Sequence, residues 1–203
     1  MLLAFDTSTA ACTAALFDEA GTYLGSRDEL IGRGHAERLV PMIAELLDGR
    51  SADHILVGVG PGSFTGIRVA IAAAHGLAIG WDAQVAGMSS LALLAAGANG
   101  DGEIGVALTG GHGELFVQQF DAATGVPTTD VANRSPTDAA SLLTAQLVVG
   151  SGARQLVDAR GSGEARDAWP SAADALKIPE QLRNLAPRPL YGRAPDARVP
   201  RAA

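Results

Sequence analysis

The chain is short of most features that anchor a function to a sequence. It has one cysteine, Cys12, so no internal disulfide can form, and its apolar surroundings read as those of a small core residue. Aromatic residues make up 4% of the 203 positions, so packing must be close and backbone-driven. Basic charge is scarce: 15 Lys and Arg face 22 Asp and Glu, for a net charge of −7. That balance argues against autonomous nucleic-acid binding, which normally shows a basic surface. The exception is the C-terminal stretch, where Arg183, Arg188, Arg193, Arg198 and Arg201 face only Asp196. Such a tail can touch RNA or an acidic partner, and more often it is a solvated terminus. The longest apolar run, Val69 to Trp81, holds His75 and two glycines and is too short to span a bilayer. Met1-Leu2-Leu3-Ala4-Phe5-Asp6 reaches an acid with no charged region before it, unlike a signal peptide. Together these lead to the expectation of a cytoplasmic, ordinary soluble globular protein.

Catalytic groupings are equally sparse. None of the four histidines, His35, His54, His75 and His112, has another three or four residues away, which removes the helical metal clamp. No Gly-x-Ser-x-Gly elbow exists, because Gly60-Pro61-Gly62-Ser63-Phe64 is followed by Thr65. A P-loop needs a Lys that is missing, and the dinucleotide pattern counted from Gly58 meets Ser63 where its third glycine belongs.

What is present is one organising stretch. The apolar strand Ile55 to Val59 ends in a Gly60-Pro61-Gly62 turn, which feeds a breaker-poor apolar segment from Val69 to Ile79. Gly60 and Gly62 permit a tight backbone, Pro61 stiffens it, and Ser63 or Thr65 can cap the helix that follows. Such a turn often marks an anion site, because free N–H groups point out of the helix start. On local physics alone a turn and cap with no ligand is the favoured reading. The apolar residues of the helix, Ile67, Val69, Ala70, Ile71, Ala74, Leu77, Ala78 and Ile79, go round the cylinder, so more than one side must be buried. One side can pack on a sheet; the other needs more protein. Arg68, in the first turn, opposes the helix dipole, which predicts an acidic partner or ligand for it, with a solvated Arg as the plain alternative.

Along the chain, Leu2 to Phe5, Ala11 to Phe17 and Thr22 to Arg27 read as a meander of strands. Asp6 ends the first strand ahead of Thr7-Ser8-Thr9, which can hold a phosphate or simply close a hairpin. His35 to Leu47 has helical spacing, with Pro41 delaying or kinking the helix and Gly49 ending it. Ser89-Ser90 start a further helix. Asn99-Gly100-Asp101-Gly102 is the clearest break, and it divides a first lobe (1–100) from a smaller second lobe (101–185) and a Pro- and Arg-rich tail (186–203). The second lobe again opens with strand, glycine turn (Thr109 to Gly113) and strand (Glu114 to Phe120), which points to an internal structural repeat. A short helix from Ser135 and a strand at Leu147 to Val149 follow.

Three runs carry a family resemblance: Phe5-Asp6-Thr7-Ser8-Thr9, Gly60 to Arg68, and Leu190-Tyr191-Gly192-Arg193-Ala194-Pro195-Asp196-Ala197, with His35-Ala36-Glu37 in support. Together they resemble the TsaB (YeaZ) family, bacterial subunits of the machinery that makes threonylcarbamoyladenosine next to the tRNA anticodon. The resemblance implies an α/β, two-lobed actin-like or chaperone-ATPase-like (ASKHA) fold, here with a shortened second lobe. It implies a non-catalytic scaffold that pairs with a TsaD-like catalytic subunit through a four-helix interface. On this chain that interface falls on His35, Arg38, Leu39, Met42, Ile67, Arg68, Ile71, Ala74 and His75, with Ala74→Arg or Ile71→Glu expected to abolish pairing and spare the fold. It further implies a homodimer when alone, contact with a TsaE-like ATPase and with tRNA only through the complex, no membrane, and no stably bound cofactor, with ATP or ADP at the complex interface. Asp6, Ser8 and Thr9 are the possible nucleotide-binding residues, and a weak ATPase or phosphotransferase is the alternative function. The His-x-x-x-His metal motif of TsaD is missing, so the glycoprotease or M22 peptidase label given to the family by kinship finds no support. One departure stands out: the family's second hairpin usually reads Asp-Ala-Arg-x-Gly-Glu-Val-Tyr, whereas here it reads Thr109-Gly110-Gly111-His112-Gly113-Glu114-Leu115-Phe116. The acid and the arginine that would help hold phosphates are gone.

Overall fold

A computed structural model describes residues 1–190. The Leu190–Ala197 motif beyond its first residue, and Arg193, Arg198 and Arg201 of the basic tail, lie outside the described residues. The first sheet is built from β1 (Leu2–Asp6), β2 (Ala11–Phe17), β3 (Tyr23–Leu30), β4 (His54–Gly58) and β5 (Gln84–Met88), in the order β3-β2-β1-β4-β5. β1 pairs antiparallel with β2 and parallel with β4. The second sheet uses β6 (Glu103–Thr109), β7 (Leu115–Asp121), β8 (Ala132–Arg134), β9 (Leu147–Val149) and β10 (Glu164–Arg166), in the order β8-β7-β6-β9-β10. The pairings repeat those of the first sheet: β6 is antiparallel to β7 and parallel to β9. An antiparallel meander followed by two parallel strands, made twice, is a duplicated two-lobed α/β arrangement.

Five helical layers and sheets follow from which faces are apolar. α1 (His35–Leu47) and α2 (Phe64–Trp81) cover the outer face of the first sheet, with Leu39, Met42, Ile43, Ala70 and Ala74 packed on Leu3, Phe5, Ile55 and Val57. α4 (Pro136–Leu142) and α5 (Ala153–Arg160) cover the outer face of the second sheet over Ala107, Leu115 and Val148. Between the sheets lie α3 (Ser90–Gly97) and a 3-10 turn at Ala172–Lys177. Here Phe17, Met88, Leu91, Leu93, Leu94, Leu108, Phe120, Ala175 and Ile178 form one core shared by both lobes. A helix with both flanks against sheets has to be apolar all round, as α3 is.

α1 begins at His35 and runs through Pro41, where a late start or a kink was expected; burial of Leu39, Met42, Ile43, Leu46 and Leu47 outweighs the one backbone hydrogen bond that Pro41 cannot donate. α2 begins at Phe64, five residues before the apolar run, because Ser63, one of the two expected caps, accepts the Gly66 N–H with its hydroxyl (3.2 Å). At 18 residues it is therefore long and apolar enough to cross a membrane by length and composition, but its inner face is committed to the first-lobe core. Finally, the second lobe does not extend to residue 185. Its sheet ends at Arg166, and the chain then returns to the first lobe. Ser171 donates to Asp28 (2.7 Å), and the Ala172 N–H donates to Thr13 (2.6 Å). Gly87 and Leu185 exchange backbone hydrogen bonds (2.7 and 2.9 Å), and the Leu190 N–H donates to Val59 O (2.8 Å). A short α6 (Glu180–Arg183) lies in this returning segment.

Candidate functional site

The organising turn is held by close approach of backbones. Ser63 N–H donates to Ser8 O (2.6 Å), and Thr7 Oγ1 donates to Gly66 O (2.8 Å). A side chain at Gly66 would overlap the Thr7 carbonyl, and one at Gly58 would overlap the Asp6 carboxylate. The glycines thus let the start of α2 sit directly on the β1–β2 turn.

Asp6, Ser8 and Thr9 are brought together here, but they are turned inward. Asp6 is 0% exposed. Its Oδ1 accepts the Ser8 N–H (2.6 Å) and its Oδ2 accepts the Ser90 hydroxyl (2.5 Å). Ser90 Oγ in turn accepts the Gly60 N–H (3.1 Å). Ser8 is 1% exposed, and its buried hydroxyl has no hydrogen-bond partner. Thr9 Oγ1 accepts the Ala11 N–H (3.1 Å), closing the hairpin. The fold family implies a nucleotide, and these residues do not fit one: the acid is sealed and its oxygens are committed to protein donors. In the matching turn of the second lobe, Thr109 and Ser151 hydroxyls share a hydrogen bond (3.1 Å), and His112 occupies a left-handed backbone (φ 60°) at the tip. Among the described residues no group of three or more His, Cys, Asp and Glu side chains is placed to hold a metal ion.

The outer face of α1 and α2 keeps apolar surface; Tyr23, Leu24 and Leu30 on β3 are exposed as well. At 100° per residue, Phe64, Arg68, Ile71, His75 and Ile79 share an arc of about 80° on α2. Phe64 is 64% and Ile79 86% exposed, His75 is exposed, and Arg68 and Ile71 are half-buried. The adjoining arc carries Ala72, Gly76 and Gly80, all exposed, with Thr65 exposed and Val69 half-buried among them. Ala36, Val40 and Ala44 form a similar exposed row on α1. The Arg68 guanidinium lies 3.2 Å over the Phe64 ring and donates to the Phe64 carbonyl (3.1 Å), which covers its head in the first turn.

Four of the nine expected interface residues are corrected by burial. Leu39, Met42, Ile67 and Ala74 lie in the chain's own core and present no surface. Ala74 is 0% exposed, so Ala74→Arg would break the fold rather than spare it. His35 is half-buried, with Nε2 3.3 Å from Ala11 O. Arg38 ties α1 to β3 through Glu29 (2.5 and 2.7 Å) and reaches Glu45 on its own helix (2.8 Å). Hydrogen bonds from Arg38 hold the Glu29 and Glu45 carboxyls below the usual carboxylate range. Burial, reinforced by Glu29, pushes the Cys12 thiol up to about 11, so it is inert core. Phe64, Ile79 and Val40 are exposed on the same face and were not among the nine; their spacing with Ile71 and with Ala36 and Ala44 is the signal that finds them.

The chain matches the family model described as TsaD, tRNA N6-adenosine threonylcarbamoyltransferase, over residues 20–149, more than half its length. The TsaB of Escherichia coli, a tRNA threonylcarbamoyladenosine biosynthesis protein, is 38% identical over 127 residues, covering 59% of this chain and 54% of that one. The Haemophilus influenzae protein of the same name is 43% identical over 102 residues, 46% of this chain and 41% of the relative. The chain thus spans about half the length of the curated relatives it matches. A Pseudomonas aeruginosa crystal structure, described as similar to peptidase YeaZ, superposes with a TM-score of 0.81 at 32% identity, covering 95% of this chain and 99% of that one. The same duplicated fold, the matched turn and helix, and near-complete coverage at that identity lead to one assignment: the chain belongs to the TsaB (YeaZ) family.

Proposed function

We propose that this chain is a non-catalytic pairing subunit for N6-threonylcarbamoylation of adenosine next to the tRNA anticodon, working in the cytoplasm beside a TsaD-like catalytic subunit. The observation that carries the reading is the outward row Phe64, Ile71, His75 and Ile79 with its small-residue flank. Apolar area of this kind on a helix whose inner face is already packed is stabilised by a second protein. The names of the relatives supply the pathway, and the α1–α2 face supplies the means. The same face forms a homodimer when the catalytic partner is missing. A TsaE-like ATPase and tRNA meet this chain only through the complex, and any ATP or ADP belongs to the complex interface.

Titration of the chain against the TsaD of the same organism, followed by light scattering, tests the proposal. Wild type is expected to form a heterodimer. Ile71→Glu and Ile79→Glu are expected to weaken it by at least about tenfold, since each puts a charge into an apolar contact, while thermal melting stays within about 2 °C. Variants that melt normally and still pair like wild type overturn the assignment of the face.

A further inference from the structure

In an actin-like body, an acid at the end of the first strand beside a hydroxyl-rich turn is placed to meet a ligand between the lobes. Here that carboxylate is bonded within the first lobe, at the start of the helix that lies in the joint. Its two oxygens accept from Ser8 N–H and Ser90 Oγ–H, and Ser90 links on to the turn through Gly60 N–H; the Ser90 N–H also donates to Gly60 O (3.0 Å). Ser90 opens α3, so the carboxylate also lies at the positive end of that helix. α3 is buried from Ser90 to Ala95 and rests on both lobes through the shared core. A carboxylate wholly removed from water is costly unless its oxygens are satisfied, and here the protein satisfies them without an ion.

We infer that Asp6 is a fixed pin of the interlobe joint rather than a nucleotide ligand, and that the two lobes are held shut independently of nucleotide. Asp6 acts through Ser90: it fixes the start of α3 and the Gly60–Gly62 turn, and so sets where α2 begins. The buried core of Leu91, Leu94, Leu108, Phe120 and Ile178 is shared by the two lobes and joins them directly. This inference goes beyond the pairing reading, and its test makes no use of pairing.

The experiment uses the full chain in thermal melting and in amide hydrogen exchange, with and without Mg-ATP at about 1 mM. Wild type is expected to melt within about 1 °C of itself in both conditions. Asp6→Ala and Ser90→Ala are expected to lower the midpoint by about 5–10 °C, with Asp6→Asn, which keeps the shape and one acceptor, falling less. Exchange is expected to rise in α3, the 60–66 turn and the returning segment 182–190, and to stay unchanged in β7 and β8. Should Asp6→Ala fail to fold, Ser90→Ala and Asp6→Asn carry the same test. The inference is overturned by a Mg-ATP-induced rise in the wild-type midpoint that Asp6→Asn abolishes. It is equally overturned by variants that melt and exchange like wild type.

Discussion

α2 and α5 occupy the same place in the two lobes. Each follows the fourth strand of its sheet through a glycine- and serine-containing turn, and each precedes the fifth strand. α5 does the job with 8 residues, burying Ala153 and Leu156 and turning Arg154, Gln155 and Asp158 to solvent. α2 uses 18 residues, buries Gly66, Ile67, Ala70 and Ala74, and turns Phe64, Ile71 and Ile79 outward. The position itself therefore demands neither the extra length nor the apolar outer face. Whatever the second lobe omits without loss of fold is, in the first lobe, available for function. The capping differs in the same sense. Ser63 caps α2 with its own hydroxyl, whereas α5 starts from Gly152 with no side-chain cap, its neighbour Ser151 being bonded to Thr109.

The comparison breaks most visibly on the inner faces. Ala74→Arg is expected to cost more than about 4 kcal/mol, by burying a charge where no cavity exists, and to give no cooperative unfolding transition by circular dichroism. Ala159→Arg, exposed on α5, is expected to stay within about 0.5 kcal/mol of wild type in the same urea titration. On the outer faces the asymmetry shifts from stability to association. Ile79→Glu is expected to leave stability within about 0.5 kcal/mol and reduce pairing at least about tenfold, a change of roughly 1.4 kcal/mol. Gln155→Glu on α5 is expected to change neither; equal effects at the two sites would end the argument from asymmetry. A finer probe is the small-residue flank. Side chains at Gly76 and Gly80 would meet nothing within 4 Å, so Gly76→Ala and Gly80→Ala are each expected to stabilise the isolated chain by about 0.5–1 kcal/mol. If these glycines set the distance of a partner helix, the same changes weaken pairing; unchanged affinity in both variants removes them from the interface. The smallest effect concerns pH. Because Arg38 lowers the Glu29 and Glu45 carboxyls, the stability this link contributes is complete above the unfolded glutamate value of about 4.3 and is lost as pH falls through the lowered values. Arg38→Gln is expected to flatten that part of the acid-unfolding curve, and an unaltered curve shows the link to be worth nothing there.

The first lobe was largely legible because its signals are local. Strand, glycine turn and capping serine follow one another in sequence, and the repeat of a hairpin after residue 102 announced the second sheet. The strands β8 and β10 were not legible: three residues each give no periodicity to read. α5 was missed because its outer face is polar and its buried face is two residues wide. On α2, an apolar pattern all round the cylinder led to the expectation of more than one covered side but did not say which side the sheet would take; the sheet took Ile67, Ala70 and Ala74. The role of Asp6 was hidden for a different reason. Its partner Ser90 is 84 residues away, and no local pattern connects them. The return of residues 172–190 to the first lobe was likewise invisible, since it depends on backbone hydrogen bonds rather than on side-chain pattern.

That return has a consequence for synthesis. Gly87 and Val59 receive their backbone partners from Leu185 and Leu190, and Met88, Leu91 and Leu94 share their cover with Ala175 and Ile178. A ribosome that has released only the first hundred residues has delivered all five strands of a sheet whose far edge is still unpaired and whose inner face still lacks Ala172, Ala175 and Ile178. The first lobe is the first to be made and among the last to be finished, so a chain stalled or cut between the lobes yields sticky material rather than half of a working protein.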